Sequence, residues 1–142
     1  MLARYMEFPL KGDDDGWLAA LEANQNIPFA IKRIYTIFGT RAGVVRGKHA
    51  HHTLRQVMVC LVGSCKVLLD DGKQREEVVI ASPRNPSHNA LQKGLFIDPM
   101  VWHEMYAFSS DCVLLVLADG GYDLADYIRD YSAFTALCRN TP

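Results

Sequence analysis

The chain has 142 residues, 49% of them apolar and 22% charged, an ordinary make-up for a globular protein and unlike that of disordered chains. Fifteen Lys and Arg against sixteen Asp and Glu leave a formal charge of −1, so no whole-molecule field gathers nucleic acid or an anionic membrane. The longest apolar run, Cys112 to Ala118, is far shorter than the roughly 20 residues of a bilayer-spanning helix. The length suits one domain over 1–142. The first fifteen positions lack an apolar core and turn acidic at Asp13-Asp14-Asp15, so they do not read as a secretory signal, and the expected location is the cytoplasm.

Short β-branched and aromatic runs punctuated by Gly, Pro, Asn and Asp predict strands over 29–38, 55–62, 65–69, 76–80, 94–97 and 112–118. Gly63-Ser64 reads as a two-residue hairpin loop and Asp70-Asp71-Gly72 as the turn after the next strand. Pro83, Asn85, Pro86 and Ser87 mark a loop. Over 123–138 the period changes: Leu124, Tyr127, Ile128, Tyr131, Phe134 and Cys138 recur in steps of three and four. That spacing predicts an amphipathic helix capped by Asp123, with no residue marked for chemistry. The fold class is therefore all-β, a small barrel or jelly roll with a C-terminal amphipathic helix, and the barrel mouth is the natural ligand site. The four cysteines, Cys60, Cys65, Cys112 and Cys138, form no Cys-x-x-Cys pair and read as reduced, packing thiols.

Chemistry concentrates in Arg46-Gly47-Lys48-His49-Ala50-His51-His52. In an extended strand His49 and His51 share a face, with Cα atoms roughly 6–7 Å apart, and imidazoles titrate near neutral pH, as acid–base groups should. Arg33 and Tyr35 share a face of an earlier strand and are expected to line the same cavity. Arg33, Arg41, Arg46 and Lys48 make a local positive cluster suited to a phosphate or diphosphate. Trp102 and Glu104 lie on one face of their segment and His103 on the other, with the inward face left open by spacing alone.

The order Gly43, His49-x-His51, Gln56, Gly63 resembles the first signature of the cupin superfamily. In metal-binding cupins an acidic ligand stands at the position of Gln56, and a neutral amide there removes a full negative charge from a cation site. The second signature is only approximated, by Gly94, Pro99 and His103. The expectation is a metal-free site in which the histidines themselves move protons.

Pro28-Phe29-x-Ile31-Lys32-Arg33-x-Tyr35, Arg46-Gly47-x-His49-Ala50-His51, Gln56, Trp102 and the terminal Asp126-Tyr127-Ile128-Arg129-Asp130-Tyr131 together resemble the sugar-nucleotide 3,4-ketoisomerases of the cupin superfamily. The resemblance covers nearly the whole chain and implies a jelly-roll fold. It also implies migration of the ketone of dTDP-4-keto-6-deoxy-D-glucose from C4 to C3, no metal or other cofactor, and a homodimer with exchanged N-terminal strands. By this resemblance His51 is the base at C3, with His49 assisting; Tyr35 donates to the oxygen that gains charge and Arg33 stabilises it. Arg41 and Arg46 are expected at the diphosphate, and Trp17, Gln56, Trp102 and His103 around the sugar. Trp17 stands where many relatives follow Arg-Gly with another residue type, and with His103 it is expected to influence product configuration at C4. The alternatives are a non-catalytic nucleotide-sugar-binding cupin module, a related cupin epimerase and a metal-dependent cupin oxygenase, the last disfavoured by Gln56.

Overall fold

The computed structural model describes residues 1–142. In chain order its strands are β1 (Arg4–Pro9), β2 (Lys11–Asp13), β3 (Gly16–Leu18), β4 (Arg33–Phe38), β5 (Arg46–His51), β6 (Gln56–Val62), β7 (Ser64–Asp70), β8 (Arg75–Ala81), β9 (Leu91–Ile97), β10 (Trp102–Tyr106), β11 (Val113–Ala118) and β12 (Tyr127–Ile128), followed by helix α1 (Tyr131–Arg139). One five-stranded sheet has the order β1-β9-β6-β11-β4 and the other β12-β5-β10-β7-β8, while β2 and β3 form a small hairpin. Every pairing within these sheets is antiparallel. This is the all-β, cupin-like jelly roll that the sequence predicts. No helix is long and apolar enough to cross a membrane.

The main core lies between the sheets, where Met58, Leu95, Leu114 and Val116 of the first meet Val67, Leu69, Ile80 and Met105 of the second. The first sheet is also covered outside, where Ile27 and Phe29 pack on Phe8, Val57, Val59, Phe96 and Leu117. Double coverage explains why β6 is buried continuously from Gln56 to Cys60: alternate residues serve the two cores. Gln56 has the same parity as Met58 and Cys60 and so faces the interior. Cys60, Cys65 and Cys112 are buried and unpaired. Desolvation, with Cys112 adding to it, pushes the Cys60 thiol up to about 12, which makes it inert packing.

Two local expectations are corrected. Val62 and Ser64 belong to different sheets, so Gly63-Ser64 is no hairpin loop but the corner where the chain crosses between layers. Gly63 takes φ +73° there, and a Cβ would lie 2.2 Å from Ser109 Oγ. The Asp70-Asp71-Gly72 turn does join an antiparallel pair, β7 and β8.

The helix over 123–138 is likewise split into three pieces. Asp123 caps a single 3-10 turn over Leu124–Asp126. Tyr127 and Ile128 then pair with His51 and Ala50 at the edge of β5. The helix starts only at Tyr131, with the Asp130 carboxylate accepting from Ala133 N–H. Ile128 and Phe134 pack on Ala50 and Trp102, and these apolar contacts override a helical period that the sequence carries through Tyr127.

Candidate active site

The parity of β5 turns His49 and His51 inward and Ala50 outward onto the helix, while β10 sends Trp102 outward and His103 inward. His49 pairs with His103 across the ladder, and the register then slips so that Glu104 faces Gly47. Lys48 is the extra residue of this bulge, with φ +55° beside Gly47 at φ +83°. A Cβ on Gly47 would stand 2.8 Å from the His103 carbonyl oxygen, so only glycine permits the approach that brings the two strands' histidines together.

The three imidazoles form one cluster. Ring centroids are 4.9 Å apart for His49 and His51, 4.6 Å for His49 and His103, and 6.1 Å for His51 and His103. His49 Nδ1 is 2.9 Å from the Gly47 carbonyl and His103 Nδ1 is 3.1 Å from that of Val101; each Nδ1–H donates there and leaves Nε2 with a free lone pair. His51 and His103 are 3% and 2% exposed. Neither ring nitrogen of His51 has a hydrogen-bond partner, although Asp126 Oδ2 stands 3.3 Å from its Nδ1. Burial, reinforced by the neighbouring His49, lowers His51 to about 4. Burial, then His49, lowers His103 to about 3. Burial also lowers His49, with the Gly47 hydrogen bond acting against it. All three are neutral at physiological pH, the state in which an imidazole accepts a proton.

A cavity of about 330 Å³ opens beside the cluster, lined by Arg33, Tyr35, Arg46, His49, Tyr127 and Arg129 among others. The Arg33 guanidinium lies 4.7 Å from the centre of the Tyr35 ring, and Gln56 Nε2 donates to the Tyr35 hydroxyl at 2.9 Å. Burial raises the Tyr35 phenol, so it stays protonated and able to donate. Three arginines at one cavity form an anion site of the kind that takes phosphate oxygens.

Of the residues expected at the site, His49, His51, His103, Tyr35, Arg33, Arg46 and Gln56 come together. Arg41 is exposed and lies outside this lining. Trp102 is turned away, its indole 5.2 Å from the Tyr131 ring and 5.7 Å from that of Phe134. Trp17, on the small hairpin, packs edge-on against His88 at 5.2 Å, apart from its own chain's cavity wall.

Three residues that the sequence did not mark as site residues belong to the site, all from the segment taken for helix: Tyr127 and Arg129 line the cavity and Asp126 stands behind His51. Tyr127 lies 4.4 Å from the His51 ring and 5.0 Å from that of His49. Arg129 stacks over Tyr127 at 4.4 Å. Asp126 accepts from Thr53 N–H and Oγ1 through Oδ1 and from Leu54 N–H through Oδ2. Burial would raise its carboxyl, but these donors and His51 outweigh that and hold it below the usual range. The signal was present in two capping aspartates, Asp123 and Asp130, flanking an aromatic and a β-branched residue.

The cupin fold raises the question of a metal. Nitrogen atoms of His49, His51 and His103 lie within 4.8 Å of one another, and their remaining nitrogens face carbonyl or carboxylate oxygens as those of metal-ligating histidines do. The set fits a borderline cation such as zinc, which would supply Lewis-acid polarisation of a carbonyl. No carboxylate completes it, because Gln56 is an amide engaged with Tyr35.

Residues 1–139 match the family model FdtA, described as WxcM-like, C-terminal. Over 122 residues, 86% of this chain and 82% of its relative, the chain is 52% identical to the TDP-4-oxo-6-deoxy-alpha-D-glucose-3,4-oxoisomerase of Aneurinibacillus thermoaerophilus. The chain belongs to the FdtA family. As a member it is a sugar 3,4-ketoisomerase. A 3,4-ketoisomerase from Helicobacter canadensis has the same fold, with a TM-score of 0.89 and 39% identity over 99% of both chains. QdtA, a sugar 3,4-ketoisomerase from Thermoanaerobacterium thermosaccharolyticum, superimposes with a TM-score of 0.88 and 36% identity over 97% of this chain and 95% of its own, in complex with TDP. A histidine-to-asparagine variant of QdtA is known in complex with TDP-4-keto-6-deoxyglucose.

Proposed function

We propose that this FdtA-family chain, acting as one cupin-like domain, moves the ketone of dTDP-4-keto-6-deoxy-D-glucose from C4 to C3 by metal-free acid–base catalysis. The observation that carries the reading is the juxtaposition of three neutral imidazoles with a cavity holding Arg33, Arg46 and Arg129. The arginines suit a diphosphate, with Arg129 taking the place expected of Arg41.

Isomerisation begins with loss of the proton at C3. Its bonding pair forms the C3–C4 double bond, and the C4 carbonyl oxygen becomes the charged oxygen of an enediolate. The C3 hydroxyl proton passes to that oxygen, C4 receives a proton, and the ketone is left at C3. No electron leaves the sugar. His51 is the base at C3, because it alone has a carboxylate behind its other nitrogen. His49, on the cavity wall, relays the proton towards C4. Tyr35 donates to the oxygen that gains charge while Arg33 stabilises it, in a site partly shielded from water.

The protein works as a homodimer with exchanged N-terminal strands, the exchanged piece being the β2–β3 hairpin, which pairs with no other strand of its own chain, whereas β1 stays on β9. Ile34 and Phe38 are 59% and 70% exposed on β4, an open sheet edge of the kind that proteins usually cover. Trp17, remote from its own cavity, then belongs to the partner's site.

The test is incubation of the chelator-treated protein with dTDP-4-keto-6-deoxyglucose in deuterated water, followed by NMR. A ketone at C3 with deuterium entering the ring, abolished in His51→Asn, is expected. Binding without exchange or migration overturns the assignment in favour of a non-catalytic module.

A further inference from the structure

Gln56 occupies the first position of β6 with 3% of its surface exposed, and it serves neither the proton path nor the anion site described above. Its amide Nε2 donates to the Tyr35 hydroxyl at 2.9 Å, and its Oε1 is buried without a partner. A phenol has one proton and acceptor lone pairs on the same oxygen. Accepting from Gln56 occupies a lone pair and leaves the Tyr35 proton free to be given elsewhere. Tyr35 lines the cavity, so that proton is available to a ligand there. A carboxylate at position 56 has no proton to give in its ionised form, and would take the Tyr35 proton for itself.

We propose that Gln56 is a positioning residue that fixes the polarity of the Tyr35 hydrogen bond, so that Tyr35 donates to the substrate oxygen rather than to the protein. The inference rests on the role given to Tyr35 under Proposed function. It also gives the amide a reason to stand there: the direction of one proton, in place of affinity for the sugar.

The experiment compares pH profiles of kcat for the wild type, Gln56→Glu, Tyr35→Phe and the double variant, all in EDTA, because a carboxylate added among three imidazoles invites a cation. Tyr35→Phe loses one donor to the enediolate, which costs about 10²–10³-fold in kcat. Gln56→Glu is expected to match that loss where the introduced carboxyl is ionised, with KM little changed. It should regain activity as the pH falls and the protonated carboxyl donates to Tyr35, a descending limb towards high pH that the wild type lacks. The double variant should be no worse than Tyr35→Phe alone, as for two residues acting through one bond.

A wild-type profile for Gln56→Glu, with Tyr35→Phe impaired, overturns the proposal alone, because the amide that donates to Tyr35 is then replaced by a carboxylate without loss. Losses that multiply in the double variant overturn it too. Full activity of Tyr35→Phe removes the reading of Tyr35, and the proposal with it. Should Gln56→Glu fail to fold, Gln56→Leu carries the same test: a loss in kcat that disappears in the Tyr35→Phe background supports the coupling, and a multiplying loss refutes it.

Discussion

Asp126 Oδ2 stands 3.3 Å from Nδ1 of His51, and the same carboxylate is fixed by three donors from Thr53 and Leu54. A carboxylate so held favours the His51 tautomer with its proton on Nδ1 and a lone pair on Nε2, and stabilises the imidazolium once His51 has taken a proton. Asp126→Asn keeps the shape but offers an amide that can face His51 with either end. Its kcat should fall by roughly 10²–10⁴-fold with KM little changed. Steady-state kinetics with the ketosugar check this; a variant impaired only in KM would place Asp126 in binding instead.

The pH dependence follows from burial of the cluster. With His51 lowered to about 4, the base stays unprotonated well below the ordinary imidazole range, so kcat should hold constant from pH 7 to about 5.5 and its acid limb should lie lower still. Stability behaves differently. The unfolded chain's histidines protonate below about 6.5, whereas folded His103 resists until about 3. Between these values the unfolded state binds more protons, so stability falls as the pH drops. Thermal melts should show Tm declining from about pH 6.5 to 5, with a shallower slope in His103→Gln. An equal slope in the variant would remove His103 from the account.

The sequence carried the jelly roll because a strand buried on both faces still reads as a short β-branched run bounded by turn formers: in β6 odd residues serve one core and even residues the other, so the run is apolar from Val57 to Val62 and too short for a helix. It carried His49 with His51, and Arg33 with Tyr35, because residues two apart on a strand share a face whatever the tertiary arrangement; Arg46, read from its charge, lies three residues before His49 and reaches the same cavity because Lys48 is bulged out between them. The Gly63 corner was not legible, since a two-residue link looks the same whether it joins neighbouring strands or crosses between layers. Nor was Tyr127. Its place is set by the pairing of β12 with β5 and by Phe134 anchoring the helix, long-range contacts that no local period encodes. Trp102 and His103 were an even choice until the burial of Trp102 beneath Phe134 decided which side faced in.

That anchoring makes a remote residue matter to the site. Phe134 is fully buried with Ala50, Trp102 and Ile128, and its contacts hold the helix that follows Asp126, Tyr127 and Arg129. Phe134→Ala leaves a cavity on the outer face of the second sheet and should destabilise the fold by about 3–5 kcal/mol. The loosened β12 should also lower kcat/KM at temperatures where the variant remains folded. Chemical denaturation and kinetics together check the claim. Destabilisation with wild-type kinetics would show that β12 is held by its pairing to β5 alone.

Metal ions provide a separate handle on the histidine cluster. His49 and His103 each give their Nδ1 proton to a backbone carbonyl, so a cation held by the cluster takes the free lone pair of His49, one that the proposed chemistry needs for protons. EDTA-treated protein should therefore keep full activity. Added zinc should inhibit reversibly, because it competes for lone pairs that must stay free. Replacing His103 by Gln removes one of three nitrogen ligands and should raise the zinc concentration required by roughly 10-fold or more, in line with the loss of about 1.4 kcal/mol or more per ligand that such a shift represents. Zinc titrations of both proteins, read by initial rate, check the prediction. Activity lost on chelation and restored by zinc would instead make the cluster a working metal site.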